Sequence, residues 1–350
     1  MAVIRQPMIE LRGVWKIFGV NARSALAAIR GEGIDKAEVL RRFECVIAVA
    51  DANITIEASE IFCIMGLSGS GKSTLVRHIN RLIDPTEGEV YIEAENIRRL
   101  GALELRQLRS RKLGMVFQNM ALLPHRTVRD NVAFPLELRG VDRYERSLHA
   151  DDILEKVQLG KWGDRYPREL SGGMQQRVGL ARALAANPDI LLMDEPFSAL
   201  DPVIRRQLQD EFLALSRVLR KTTVFITHDL DEAIRLGSRI AIMKDGRIVQ
   251  IGTPEGIVTQ PADQYVADFV KGISRLQLVT ARSVMRPIDE IKSLGVEQYP
   301  CAPPDADLKK LIALMLGSDL PILVRQDSQV LGYVDKNAIL RCIYGQDSNA

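Results

Sequence analysis

Gly66-Leu67-Ser68-Gly69-Ser70-Gly71-Lys72-Ser73 decides the reading of this chain. It fits G-x-x-x-x-G-K-[ST] at every fixed position. An apolar run over residues 60–65 leads into it, and the helix-prone run Thr74-Leu75-Val76-Arg77-His78-Ile79 leads out, so the loop joins a strand to a helix. In that setting the glycines let backbone N–H groups turn inward around phosphate oxygens, and the helix aims its positive end at them. Lys72 reaches the outer phosphates and Ser73 offers a hydroxyl to Mg²⁺. Leu67, Ser68 and Thr74 complete the candidate contacts of the loop.

Outward from the loop, short apolar runs alternate with helical segments, the rhythm of an α/β fold with a parallel sheet covered by helices. The clearest strands fall at 60–65, 113–118, 190–193, 223–227 and 240–244. Ile190-Leu191-Leu192-Met193 is apolar on every residue, as a strand buried on both faces should be. Lys244-Asp245-Gly246-Arg247 reads as a hairpin turn, because Asp-Gly tolerates positive φ.

Two segments break the rhythm. Residues 20–46 form a helix-prone insert, whose apolar positions Leu26, Ile29, Val39, Leu40 and Phe43 predict one or two short amphipathic pieces. Beyond residue 272 the pattern restarts at Leu278-Val279-Thr280-Ala281. Leu308, Leu311, Ile312 and Met315 then follow helical spacing. Pro321–Val324 and Val330–Val334 read as two strands around Gln326-Asp327-Ser328. This tail is a small α+β module, of a size that seldom stabilises itself without a partner surface.

Carboxylates supply the second half of the chemistry. Asp194 and Glu195 end the buried strand, where open α/β sheets place their ligands. Alone, Asp-Glu at a strand end reads as a helix cap. With the phosphate loop upstream it reads as Asp194 holding the Mg²⁺ shell and Glu195 orienting or deprotonating water. Gln118 and His228 follow two other strands and stand on the same sheet edge.

Composition bounds the alternatives. The 350 residues suffice for one large and one small domain. A net charge of +2 argues against a dedicated nucleic-acid binder. The four cysteines, Cys45, Cys63, Cys301 and Cys342, lie far apart and suit reduced thiols. No run is long and apolar enough to span a bilayer. The opening MAVIRQPMIELRG lacks a signal-peptide layout, so the expectation is a cytosolic protein that meets a membrane through a partner.

Leu170-Ser171-Gly172-Gly173-Met174-Gln175-Gln176-Arg177 resembles the signature motif of the ABC ATPase family. Ser198-Ala199-Leu200-Asp201 resembles its D-loop, Gln118 its Q-loop glutamine and His228 its H-loop histidine. Phe18 resembles the aromatic residue on which adenine stacks, with Trp15 the weaker candidate. The likeness covers about residues 8–272. It implies the ABC ATPase fold, with a helical subdomain at about 119–180, and ATP with Mg²⁺ as ligands.

It also implies that Ser171, Gly172, Gly173, Gln175 and Asp201 serve the ATP of a second copy, so that two chains close on two nucleotides. Met174 stands where many members carry Gln, which puts the sugar contact in question.

A single phosphate loop, no coiled coil and no membrane span narrow the reading to a separate ATPase subunit. It would work at the cytoplasmic face of a bacterial inner membrane, with permease subunits and, indirectly, a substrate-binding protein. The competing expectation is a soluble ABC ATPase of repair or translation type.

Local wording at residues 11–19, 20–46, 64–71 and 190–201 resembles ATPases of glycine betaine, proline betaine and choline uptake. The tail, at about 279–345, resembles a single CBS repeat, a regulatory module in that family.

Overall fold

The computed structural model describes residues 6–118, 120–288, 299–318, 320–327 and 329–344. Met1 to Arg5 of the opening, Ser328 of the tail turn, and residues 289–298 and 345 of the CBS-like stretch lie outside them. The chain folds as two compact units, residues 1–251 and 252–350.

The first unit is built on two sheets. Six strands run in the order Arg247–Gly252, Arg239–Lys244, Ile61–Met65, Thr222–Thr227, Ile190–Asp194 and Leu113–Val116. The pairings among the last five are all parallel. Ile61–Met65 and Ile190–Asp194 are buried at every residue, as expected for central strands covered on both faces. Asp245 (φ 51°) and Gly246 (φ 81°) close the hairpin between the first two with the positive φ pair that its twist requires.

The second sheet runs in the order Val46–Ile56, Ile9–Phe18, Glu87–Ile92 and Glu95–Asn96, with antiparallel pairings. Ile9, Leu11 and Val14 of this sheet share one core with Phe62, Ile64, Leu192, Val224 and Ile226 of the parallel sheet. Leu75, Val76 and Ile79 of the Lys72–Ile79 helix belong to the same core. Each such side chain contributes about 1.5–3 kcal/mol by burial, so the phosphate loop leads into a helix fixed by packing. Helices Val128–Leu138, Arg143–Lys156 and Gly172–Ala185 pack on one another in a separate helical group.

The 20–46 insert forms two helices, Ala22–Glu32 and Lys36–Phe43. Leu26 and Val39 are buried there with Trp15 and Cys45, and Ile29 and Phe43 pack against them. Leu40 departs from expectation: it is exposed, one residue beyond Val39 and therefore rotated off the buried face.

The second unit has its own core of Val279, Ala281, Leu308, Leu311, Ile322, Val324 and Val334. Cys301–Ala302 pairs parallel with Ile322–Gln326, which pairs antiparallel with Gln329–Val334. Ile312 and Met315 pack against the core from the Leu308–Leu316 helix. The first unit ends at Ile251, ahead of the boundary at 272 read from the sequence. Helix Pro254–Thr259 is tied to the tail, because Glu255 Oε1 accepts hydrogen bonds from Thr280 N (2.8 Å), Thr280 Oγ1 (3.3 Å) and the Ser283 hydroxyl.

Candidate functional site

The phosphate loop closes against backbone on two sides. Gly71 has φ 101°, and a Cβ there would stand 2.1 Å from Ala48 O, so the second sheet and the loop approach too closely for any side chain. Ser70 N donates to Leu67 O (3.2 Å), and Gly246 N donates to Ser70 O (2.9 Å), pinning the loop to the hairpin. Lys72 is buried, its Nζ donating to Gly66 O (2.8 Å) and Leu67 O (3.0 Å) across the loop. Burial pulls its pKa below the ordinary lysine value, partly offset by the charges of Glu195 and Asp194. Among the described residues the buried Ser70 hydroxyl has no hydrogen-bond partner.

Two carboxylates face this loop from the end of the Ile190–Asp194 strand. Ser73 Oγ donates to Asp194 Oδ1 (2.9 Å), and Arg77 lies 3.9 Å from Asp194 Oδ2. Burial raises the Asp194 pKa, against the lowering hydrogen bond from Ser73. Glu195 stands just past the strand with φ 47°, an uncommon conformation for a side-chain-bearing residue and one that clusters at functional sites. Its backbone N donates to Ile226 O (3.1 Å) on the neighbouring strand. His228 Nδ1 lies 3.0 Å from Glu195 Oε2. Where the carboxylate is the acceptor of this pair, Nδ1–H is the donor.

The sheet thus brings together Lys72, Ser73, Asp194, Glu195 and His228. Gln118 follows the adjacent Leu113–Val116 strand and is exposed at the same sheet end. Phe18 ends its strand half exposed with Lys16 Nζ 4.9 Å from its ring centroid, whereas Trp15 is buried under the insert and offers no free face.

The signature residues sit at a helix start. Ser171 caps Gly172–Ala185, its Oγ accepting from Met174 N. Gly173 is packed close to Ile204, which a Cβ would approach to 2.8 Å. Gln175 Nε2 donates to Pro167 O (3.0 Å) and Leu170 O (3.2 Å), so its amide hydrogens already serve its own chain. Asp201 likewise caps the Pro202–Leu219 helix, accepting from Val203 N (3.1 Å) and Ile204 N (3.0 Å).

Arg77, Arg182 and Arg205 were not singled out from the sequence. Arg205 bridges Leu200 O (3.1 Å) and Asp229 Oδ2 (3.5 Å), linking the segment after Glu195 to the segment after His228. No spacing rule signals such contacts.

Oxygen donors from Ser73 and Asp194, with Gln118 at the neighbouring strand end, suit a hard divalent cation such as Mg²⁺.

Residues 49–198 match the ABC transporter family. The chain is 51% identical over 278 residues to the glycine betaine/proline betaine transport system ATP-binding protein ProV of Escherichia coli, spanning 79% of this chain and 69% of that protein. It is 45% identical over 342 residues to the trimethylamine N-oxide transport system ATP-binding protein TmoW of Ruegeria pomeroyi, spanning 97% of this chain and 98% of that protein. A dimeric post-hydrolysis state of the ATP-binding cassette MJ0796, bound to ADP and Pi, aligns with a TM-score of 0.59 at 35% identity, over 71% of this chain and 99% of that one.

Proposed function

The chain belongs to the ATP-binding proteins of ABC transporters and is an ATPase; on that premise we propose that two copies hydrolyse ATP to drive uptake of a small solute with a fully substituted nitrogen through a separate membrane permease. The observation that carries the catalytic half is the convergence of Lys72, Ser73, Asp194, Glu195 and His228 on one sheet edge. Mg²⁺, when bound by Ser73 and Asp194, supplies positive charge to the phosphate oxygens. Lys72 exchanges its two loop carbonyls for phosphate oxygens. Glu195, with Oε2 fixed by His228, orients the attacking water and takes its proton. Gln118 positions that water from the neighbouring strand.

The bond between the β-bridging oxygen and the γ-phosphorus breaks as water oxygen attaches to phosphorus, leaving ADP and inorganic phosphate.

A protomer supplies these groups but presents its own Ser171 and Gly173 at a separate helix start. The similarity to a dimeric cassette supports a two-fold arrangement in which those N–H donors reach the partner's ATP. Among the described residues no helix is long and apolar enough to cross a membrane, so membrane work falls to a partner. A groove of about 960 Å³ lined by Phe117, Ala121, Phe134, Pro135 and Leu138 suits a permease segment.

Glycine betaine, proline betaine or choline is the substrate class that the relatives' names favour. Trimethylamine N-oxide is the second reading, favoured because the protein named for it matches this chain nearly end to end. We read the second unit as a CBS-like regulatory module, on its compact core and three-stranded sheet.

Glu195→Gln tests the mechanism. Binding of ATP should persist and a dimer should accumulate, while phosphate release falls on the order of 10²-fold or more. Turnover near the wild-type rate would remove Glu195 from its role. Competition between labelled glycine betaine and trimethylamine N-oxide for uptake, in cells with and without the chain, decides the substrate.

A further inference from the structure

Arg182 is a buried cation held by backbone alone. It lies near the end of the Gly172–Ala185 helix that Ser171 caps, only 9% exposed. Its NH1 donates to Ala121 O (2.6 Å) and its NH2 to Met120 O (2.7 Å). Among the described residues no carboxylate pairs with it, and burial lowers its pKa. Guanidinium groups are seldom buried without an anion, so the placement requires a compensating purpose.

That purpose lies in the acceptors. Met120 (φ 49°) and Ala121 (φ 46°) are consecutive side-chain-bearing residues in the left-handed region. The conformation is disfavoured for L-residues and persists only where the surroundings enforce it. Met120 N in turn donates to Phe117 O (3.0 Å), so the strained pair closes a turn that encloses Gln118. Phe117, Ala121 and Arg182 also line the groove of about 960 Å³.

We propose that Arg182 is a positioning residue that clamps the strained Met120–Ala121 pair, thereby setting the place of Gln118 and making it move with the signature helix. The inference rests on the role given to Gln118 above. Two charge-assisted hydrogen bonds at one end of the helix, and Ser171 at the other, give helix displacement on dimer closure a direct route to the Gln118 turn. Without the clamp the turn relaxes out of its strained conformation, and Gln118 leaves its station.

The test is Arg182→Met in the full chain, which keeps length and loses the charge. Removing a desolvated, unpaired cation offsets the two lost hydrogen bonds, so the thermal midpoint should stay within a few degrees of wild type. At saturating ATP, kcat should fall about tenfold or more, since misplacement by an ångström is that costly, with KM for ATP within about threefold. Ala121→Gly, which removes one left-handed penalty, should restore part of the lost kcat in Arg182→Met.

Arg182→Gln carries the same expectations if the Met variant does not fold. Wild-type kcat in the folded Arg182 variant, or no response of it to Ala121→Gly, overturns the proposal. Gln118→Ala separates the two layers. If it turns over normally, the role of Gln118 itself fails. If it is impaired while Arg182→Met is not, the positioning role alone falls.

Discussion

Gly69 and Gly71 lie two residues apart in the phosphate loop, and the structure sets them opposite tasks. Both have positive φ, 77° and 101°. Nothing lies within 4 Å of a Cβ built on Gly69, whereas one built on Gly71 falls 2.1 Å from Ala48 O and 3.1 Å from Met243 Cε. Gly69→Ala therefore bears only the left-handed penalty, about 1.5 kcal/mol. Gly71→Ala bears the same penalty and must also drive the Ala48 carbonyl back by roughly 1 Å, an overpacking cost of about 2 kcal/mol, for about 3.5 kcal/mol together.

At about 2–4 °C per kcal/mol for a unit of this size, the first variant should lose about 3–6 °C of thermal midpoint and the second about 7–14 °C. Binding should invert that order once stability is set aside. On the proposed reading the open space at Gly69 is the room a phosphate needs, so Gly69→Ala should weaken ATP by about tenfold or more, measured by titration well below the midpoint. Equal midpoints in the two variants would refute the close approach at Gly71. Undiminished ATP affinity in Gly69→Ala would refute the assignment of the open space to ligand.

Two further outcomes follow from burial. His78 is fully buried, Nδ1 donates to Ile83 O (2.7 Å), and burial pushes its pKa down to about 4. The unfolded chain then binds this proton first as pH falls from about 6.5, so the contribution is complete above that pH and is lost towards pH 4, on the order of 3 kcal/mol in all. Unfolding midpoints measured between pH 7 and pH 5 should fall less steeply in His78→Gln than in wild type, and parallel curves would contradict the assignment. Cys301 is the exposed thiol, while Cys45, Cys63 and Cys342 are buried and desolvation raises the Cys63 pKa. A maleimide should label one thiol per native chain and four after unfolding; rapid native labelling of Cys63 would show that its strand is not closed.

What was legible in the sequence was local. The phosphate loop, the all-apolar Ile190–Met193 run and the Asp-Gly turn each state their conformation within a few residues, because turn and strand preferences act at that range. Glu195 was legible as a residue past a buried strand, although not as one held at φ 47° with His228 on its carboxylate. Trp15 could not be placed by pattern, since the insert helices that bury it come after it in the chain.

Within the second unit, Glu255 hydrogen bonds to Thr280, a link that no periodicity encodes. Arg182 was invisible for a like reason: it reaches carbonyls 61 and 62 positions away, and a carbonyl carries no residue type to read. Positioning groups are in this way harder to find than reacting ones.

The same distinction bears on the proposed need for a second copy of the chain. In a protomer Lys72 Nζ is satisfied by Gly66 O and Leu67 O, Ser73 by Asp194, and Glu195 by His228. On the proposed reading each pair holds the loop ready for phosphate, and at these side chains ATP must exchange existing bonds. The net gain per exchanged hydrogen bond is then modest, of order 1 kcal/mol, and binding alone leaves the γ-phosphate incompletely surrounded. The first N–H groups of the Gly172–Ala185 helix, beyond the Met174 N that Ser171 already engages, are further donors without an intrahelical acceptor. On the proposed reading those donors reach the triphosphate only from a second copy. Closure is therefore the step that favours hydrolysis over mere retention, and the helix bearing the donors is the one whose far end grips the Gln118 turn.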